Sequence, residues 1–434
     1  MRNYLANYDQ LVVSANLKEA ALNTEQTLDT SMLVAMATIL GLDPRRESNA
    51  DELTGKEEPD TVYDLGALTG GDMNFDKAQA QHFAFGYAYA LGVSTPTEWG
   101  EGFQHVITPA EGLTLPSFTA AMRIGKMIFK RRFAGMHVDQ LTATFAKDSW
   151  AKLALAVKGT GKNSSNITKE TVNAAFNATT LTLAGTTKVQ GTTPAERLDN
   201  VHHIRVKVPT TEQWQDVVFT VVSDAGPAVI TIVAPGVPAT LCDYEIIYSP
   251  TAAEWEEFPE RVVEPPLRVT DLVVNIGGKW SEGVLTGGHV LAEEIESIEH
   301  VLNNQMLIEF RVGGTGNYAN YAVRQGRMQT IRLNRQARDY ILQRKMTDNE
   351  YFVVYMKATG AEFEAEVLEP PEPAHHYFVE VVFPRCNVLK APISVGGKFL
   401  GEAGDLVVLQ DDTLGSVQVT VGNKVEGYAQ EEPE

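Results

Sequence analysis

GFQHVITPAEGLTLPSFTAAMRIGKMIFKRRFAGMHVDQLTATFAKDSWAKLALAVKGTG, residues 102–161, is the stretch that decides the fold class. His105 precedes a short turn, and Leu115-Pro116-Ser117-Phe118-Thr119 opens the next run. Phe133-Ala134-Gly135 then leads into His137–Phe145 and Ala151–Val157. Like Thr119–Ile124, these runs partly alternate apolar and polar residues, which is the signal of half-buried strands. Nothing in the stretch has a catalytic setting. Ser117 stands at a strand start with no base suggested nearby, and the chain holds no Gly-x-Ser-x-Gly elbow.

Upstream, residues 75–92 (FDKAQAQHFAFGYAYALG) predict a helix with Gly92 as its C-cap and Gly86 as an internal weakness. Residues 1–60 read as an N-terminal arm. Its apolar piece, Leu17 to Leu42, is either a short helix or extended, and a charged surface loop follows. Residues 61–184 form a first β unit, although 159–198, rich in Gly, Thr, Asn and Ser, suggest loop with one short helix. Short strands in 200–249 are split by Asp224-Ala-Gly-Pro227 and Ala234-Pro-Gly236. Residues 185–252 therefore read as a small inserted β-module facing outward. A linker spans 253–266, a second β unit 267–428, and a frayed tail 429–434. An acidic strip, residues 362–372, interrupts the second unit. Val138-Asp-Gln-Leu141 with Phe145 and Trp150 echoes Val269-Thr-Asp-Leu272 with Ile276 and Trp280. Either the β units are duplicated or the match is chance. The expected fold class is mainly β with minor α.

The 434 residues allow two to four domains. The N-terminus MRNYLANYDQLVV lacks the apolar core of a signal peptide, and no apolar run approaches the roughly 18 residues of a membrane span. Two cysteines, Cys242 and Cys386, fit a reducing cytosol. The formal net charge is −20. Such a surface repels nucleic acid, whose binding needs Lys and Arg to displace counterions. It serves solubility, or it lines a channel to which DNA does not adhere.

Gly159-Thr-Gly-Lys162 fails as a phosphate loop, because Ala156 and Asn163 stand where Gly and Ser/Thr are needed. Gly313-Gly-Thr-Gly-Asn317 shares the defect. His202-His203 and His375-His376 lack the further ligands that zinc requires, so no metal or cofactor is expected. Leu291–Leu302 has helical periodicity (Leu291, Ile295, Ile298, Leu302) and carries a row of carboxylates. Residues 321–338 form the one basic stretch. Arg324, Arg327, Arg332 and Arg335 are candidates to meet acidic patches on a neighbouring copy, with a nucleic-acid patch as the alternative.

The ordered series in 102–161 resembles the tail tube protein of long-tailed bacteriophages. The resemblance runs from about Leu65 to Val425, excluding the module. It rests on Ala-Leu-Gly92, His105, Pro116-Ser117-Phe118-Thr119 and Phe133-Ala-Gly135 in the first half. In the second half it rests on Val269-Thr-Asp-Leu272, Asn303-Asn304, Gly326-Arg327 and Phe383-Pro384-Arg385. It implies tail-tube-type β-sandwich or barrel units in a non-enzymatic virion protein, made in the host cytoplasm. The subunit would self-assemble into stacked rings around a DNA conduit, with no membrane involved. The implied partners are further copies, a tail terminator, a baseplate and a tape measure protein, and DNA passes without specific binding. Three chains make a ring with six-fold-like symmetry if both β units are tube domains; six are needed if one is. The resemblance also makes Leu291–Leu302 a strand, against its helical period. On a strand Glu294 and Glu296 share a face, which makes them candidates for an acidic lumen. A tail terminator, a baseplate ring and a virion-associated carbohydrate-active enzyme are the alternatives.

Overall fold

The structure is a computed structural model that describes residues 9–124, 129–237, 239–251, 258–281, 283–291, 293–314, 316–365, 367–368, 371–372, 374–396 and 399–432. It is mainly β with minor α, and among the described residues no sheet closes into a barrel. The chain divides into two compact units. The larger holds Val12–Ala120, Phe133–Lys162 and Glu260–Glu434; the smaller holds Met1–Leu11, Ala121–Arg132 and Asn163–Pro259.

The apolar piece from Leu17 to Leu42 is extended: β1 (Gln10–Val13) and β2 (Thr30–Met32) are followed by a long hairpin, β3 (Ile39–Ser48) and β4 (Val62–Phe75); residues 1–8 lie outside the described residues. Helix α1 (Ala80–Leu91) has every residue buried, which is why its sequence shows no amphipathic stripe. Gly92 ends it at φ 107°, a backbone angle that suits glycine. Next come the hairpin β5 (Gly92–Trp99) and β6 (Gly102–Pro109), then β7 (Phe118–Ile124), β8 (Phe129–Ala146) and β9 (Lys152–Gly159). A Cβ at Gly86 would meet Leu141, Leu153 and Leu155 at 3.1–3.3 Å, so the helix lies hard against β8 and β9.

The smaller unit contains β10 (Asn163–Ser165), β11 (Thr168–Ala175), β12 (Thr180–Thr182), α2 (Pro194–Asp199), β13 (Val201–Lys207), β14 (Trp214–Asp216), β15 (Phe219–Val222), β16 (Val229–Ile232) and β17 (Leu241–Tyr248). Two sheets, β11-β17-β13-β14 and β12-β16-β15, bury Leu181, Ile204, Val206, Ile230, Tyr244 and Ile246 between them. The module thus begins before residue 185. Thr168–Ala175 is a strand in the stretch expected to be loop, paired throughout with β17. Its polar sequence hides it, since the partner that completes its ladder is some seventy residues away.

The second half runs through β18 (Leu272–Ile276), β19 (Lys279–Ser281), β20 (Val284–Thr286), β21 (His289–Val290), β22 (Ile295–Asn303), β23 (Met306–Glu309), β24 (Tyr321–Arg324) and β25 (Met328–Gln336). Helix α3 (Ile341–Thr347) precedes β26 (Phe352–Glu364), β27 (Val367–Leu368), β28 (Pro371–Glu372), β29 (His375–Lys390), β30 (Ile393–Gly396), β31 (Phe399–Val408) and β32 (Gln418–Asn423). Leu291–Leu302 is therefore mostly strand despite its helical period. Residues 366, 369 and 370 of the acidic strip lie outside the described residues.

Both halves follow one plan. In the first, hairpin β3–β4 leads to a helix and hairpin β5–β6, and β9 of hairpin β8–β9 then pairs with β4 over Thr69–Phe75. In the second, hairpin β22–β25 leads to a helix and the pair β26–β29, and β31 then pairs with β25 over Thr330–Gln336. The outer strand is β8 in one half and Asn387–Gly396 in the other. Each carries a bulge, between Val138 and Gln140 and between Val388 and Lys390. The echo noticed in the sequence is not this repeat, because Val138–Leu141 lies within β8 whereas Val269–Asp271 is a 3₁₀ turn.

Antiparallel pairing of β8 with β22, from Gln140↔Asn303 to Ala146↔Ser297, fuses the halves into one eight-stranded sheet. Its order is β3-β4-β9-β8-β22-β25-β31 and then Asn387–Gly396. A second sheet runs β5-β6-β32-β29-β26-β18-β21. Strand β29 belongs to both: Phe378–Val382 pairs with β32, and Cys386–Lys390 pairs with β31. The described parts of the expected linker and tail, residues 258–266 and 429–432, are also built in, whereas 253–257 and 433–434 lie outside the described residues. Glu264 is buried and accepts from the Gln81 amide, and the Gln430 amide donates to Asn16 O.

Candidate functional site

The motifs that drew attention in the sequence converge on structural tasks. Ser117 and Thr119 both donate their hydroxyls to the buried Glu19 carboxylate at 2.8 Å, and the Gly135 amide donates to the same group. Phe118 packs edge-on against Phe85 and Tyr89 of α1. Gly135 sits at φ +67°, where an added Cβ would meet Asn23 and Thr160 at 2.7 Å. Burial raises the pKa of Glu19, while those hydrogen bonds oppose the shift. The motif thus ties the N-terminal segment to β7 and β8. His105 bonds Asn423 and Val425 O, and Asn304 donates to Ala90 O and Val138 O.

The acidic candidates do not form a free row. Glu293 takes φ +58°, β22 starts only at Ile295, and a bulge between Ile295 and Ser297 breaks the alternation. Glu294 is buried and paired with Arg335 at 3.1 Å, while Glu296 pairs with Lys147 at 2.9 Å. Arg335 is itself fully buried among Glu294, Asp339 and Glu402. Burial opposes its charge, but hydrogen bonds to Asp339 and Glu402 outweigh that and raise its pKa. It is thus no surface cation for a neighbouring copy. Arg324 donates to Gly112 O and Ala110 O. Arg327 donates to Leu91 O, and burial with Arg324 nearby pushes its pKa down to about 10. Only Arg332 of the four is largely exposed, beside Glu299 at 3.4 Å. His289, Glu294 and Asp339 come close enough to share a cation, but Arg335 already occupies both carboxylates. Both cysteines are free and buried.

The solvent face of the eight-stranded sheet is small and charge-balanced. One row across it reads Lys152, Thr144, Glu299, Arg332, Asp405, Lys390. The next reads Ala146, Ser297, Asn334, Ala403. The acidic excess lies elsewhere, as at the tip of the β3–β4 hairpin, where Asp51, Glu52, Glu57, Glu58 and Asp60 cluster in sequence.

What the fold leaves uncovered is the pair of outer edges of this sheet. Among the described residues, β3 pairs only with β4 and β30 only with β31. Large apolar side chains stand exposed there: Ile39 (63%) on one edge, Ile393 (54%) and Val395 (77%) on the other. The β3–β4 hairpin also runs beyond the part of β4 that β9 covers, with Val62, Tyr63 and Leu65 exposed. Open, apolar edges template pairing with another chain. No signal in the sequence marked them, because an edge is defined by what is absent beside it.

No protein-family model matches the chain, and no curated protein matches it.

Proposed function

We propose that this protein is the ring-forming subunit of a phage tail tube, a virion component that stacks into a conduit for DNA. The observation that carries the reading is the repeated half-sheet. Two four-stranded halves of like topology already join edge to edge at β8–β22, and the free edges are β3 and Asn387–Gly396. A unit that adds to itself head to tail makes a ring when the rotation closes. Three chains would present six half-sheets with pseudo-six-fold symmetry, and closure would remove both open edges of the eight-stranded sheet. The small, balanced face of the sheet supports passage of DNA without adhesion, since it offers few unpaired cations to phosphate. The projecting β3–β4 hairpin, with apolar residues an isolated hairpin cannot bury, supports contact between stacked rings. Terminator, baseplate and tape measure proteins would be its partners in the tail.

Negative-stain microscopy of the expressed protein, with size-exclusion chromatography across salt and concentration, tests this. Tubes are expected. Single rings that never stack would favour a tail terminator or baseplate ring, and a monomer under all conditions would defeat the proposal.

A further inference from the structure

We infer, on the premise of that ring-forming reading, that β3 of one copy pairs antiparallel with the Lys390–Val395 strand of the next in one register: Ile39 opposite Ser394, Leu40 opposite Ile393, Asp43 opposite Lys390. The register transfers from the β8–β22 junction. Matched by their bulges, Val138 and Gln140 of β8 correspond to Val388 and Lys390. Ala143 and Phe145 then correspond to Ile393 and Val395. On the other side, Phe75 and Arg335 are the last core-facing residues of β4 and β25, paired with Leu153 and Glu402. That match carries Glu299 and His300 of β22 onto Ile39 and Leu40 of β3. Inside the chain Glu299 faces Thr144, His300 faces Ala143 and Asn303 faces Gln140. The same three steps, moved to the open edges, give the three pairs named above.

Burial supports the transfer. Ala143 and Phe145, with β22 beside them, are 3% and 4% exposed, whereas their counterparts Ile393 and Val395, paired on one side with β31 and with no strand on the other among the described residues, are 54% and 77% exposed. Leu40, like its counterpart His300, points into the core, so it extends that core toward Ile393. The charges agree as well: the exposed Asp43 meets the exposed Lys390. Pro392 has no N–H to give and falls opposite Gly41, whose Cβ position is open. The ladder is therefore short, and the apolar pair and ion pair set its register.

The test is disulfide trapping in assembled protein. Ile39→Cys with Ser394→Cys, and Leu40→Cys with Ile393→Cys, cover both kinds of antiparallel pair. Ile39→Cys with Lys390→Cys is the control, four positions out of register and beyond disulfide reach. Oxidised in-register variants should give covalent multimers on non-reducing gels at about ten times the control yield or more. A second arm spares the backbone contacts. Asp43→Lys should weaken assembly, and Asp43→Lys with Lys390→Asp should restore it. Rings or tubes without in-register cross-links or charge-swap rescue would overturn the register and leave the ring reading standing. Cross-links confined within single chains would overturn it too. Absence of any assembly, in the unsubstituted protein as well, would overturn both.

Discussion

The cross-strand pair Phe75–Leu153 in the first half of the eight-stranded sheet and the pair Arg335–Glu402 in the second stand at matching places on their ladders. One is a hydrocarbon contact, with Phe75 also stacked on His82 at 4.3 Å. The other is a buried ion pair inside a ring of three carboxylates. The anchors differ in the same sense. Glu19 is a buried anion held by neutral donors in the first half, and Arg335 is a buried cation held by anions in the second. Strand order and register survive this exchange because backbone ladders and alternation specify them. The contents of a buried position need only satisfy their own polarity. A repeat of this kind is invisible to residue matching and plain in topology.

The comparison breaks most heavily at Arg335. Arg335→Met leaves Glu294 and Glu402 buried without a cation and should cost about 4 kcal/mol. Transplanting the first-half pair as Arg335→Phe with Glu402→Leu should recover about half of that. Denaturation midpoints measure both, and a double variant no better than Arg335→Met would show that the two positions are not interchangeable. Next is Glu19→Ala, which strands the hydroxyls of Ser117 and Thr119 and the amide of Gly135. A loss of about 3 kcal/mol is expected, against about 1 for Glu19→Gln, which keeps an acceptor. Equal losses would mean that the charge, not the acceptor, holds the segment. Gly86→Ala sets a helix-propensity gain of about 1 kcal/mol against crowding on Leu141, Leu153 and Leu155, for a net loss of about 1. A more stable variant would show that β8 and β9 yield to the helix.

The smallest effect is one of pH. Burial pushes the Glu264 carboxyl up to about 7 from its usual 4.5. The folded chain keeps a proton that the unfolded chain has released, so this stabilisation is present at low pH and is lost as pH rises through 7. Burial has the opposite consequence for His82, depressed to about 3, and for His137 and His300, depressed to about 4. Their contribution is present above 6.5 and lost as pH falls towards 4. Three imidazoles outweigh one carboxyl, so acid destabilises overall. Between pH 6.5 and 8 Glu264 alone would lower stability by about 0.8 kcal/mol, but the three imidazoles, half protonated in the unfolded chain at 6.5, raise it by about 1.2 kcal/mol over the same interval. Glu264→Gln should therefore steepen the rise in stability over that interval in paired denaturation curves; an unchanged slope would show that Glu264 does not hold a proton there.

Much of this was legible in the chain. Alternation in His137–Phe145 and Ala151–Val157 marked β8 and β9, and Gly92 marked the end of α1. The β-module was visible from its turn residues, but not its first strand, because Thr168–Ala175 is polar and gains its partner only from β17. Two of the charged candidates, Arg335 and Glu294, are buried for a common reason. Arg335 and Glu294 look like surface residues in sequence, since a pattern of types cannot tell a solvated charge from one neutralised by a residue forty positions away. The edges at Ile39 and Ile393 were equally hidden, as exposure there follows from strand order alone.

Strand β29 has a consequence for how the chain avoids misfolding. It is a ruler read at both ends: Phe378–Val382 must match β32 and β26 while Cys386–Val388 matches β31. A slip of one residue would turn Val379 and Val381 outward in one sheet and, at the same stroke, Cys386 and Val388 in the other. An error tolerable in a single sheet is thus penalised twice, and the check is complete only once β26, β31 and β32 have all paired with β29.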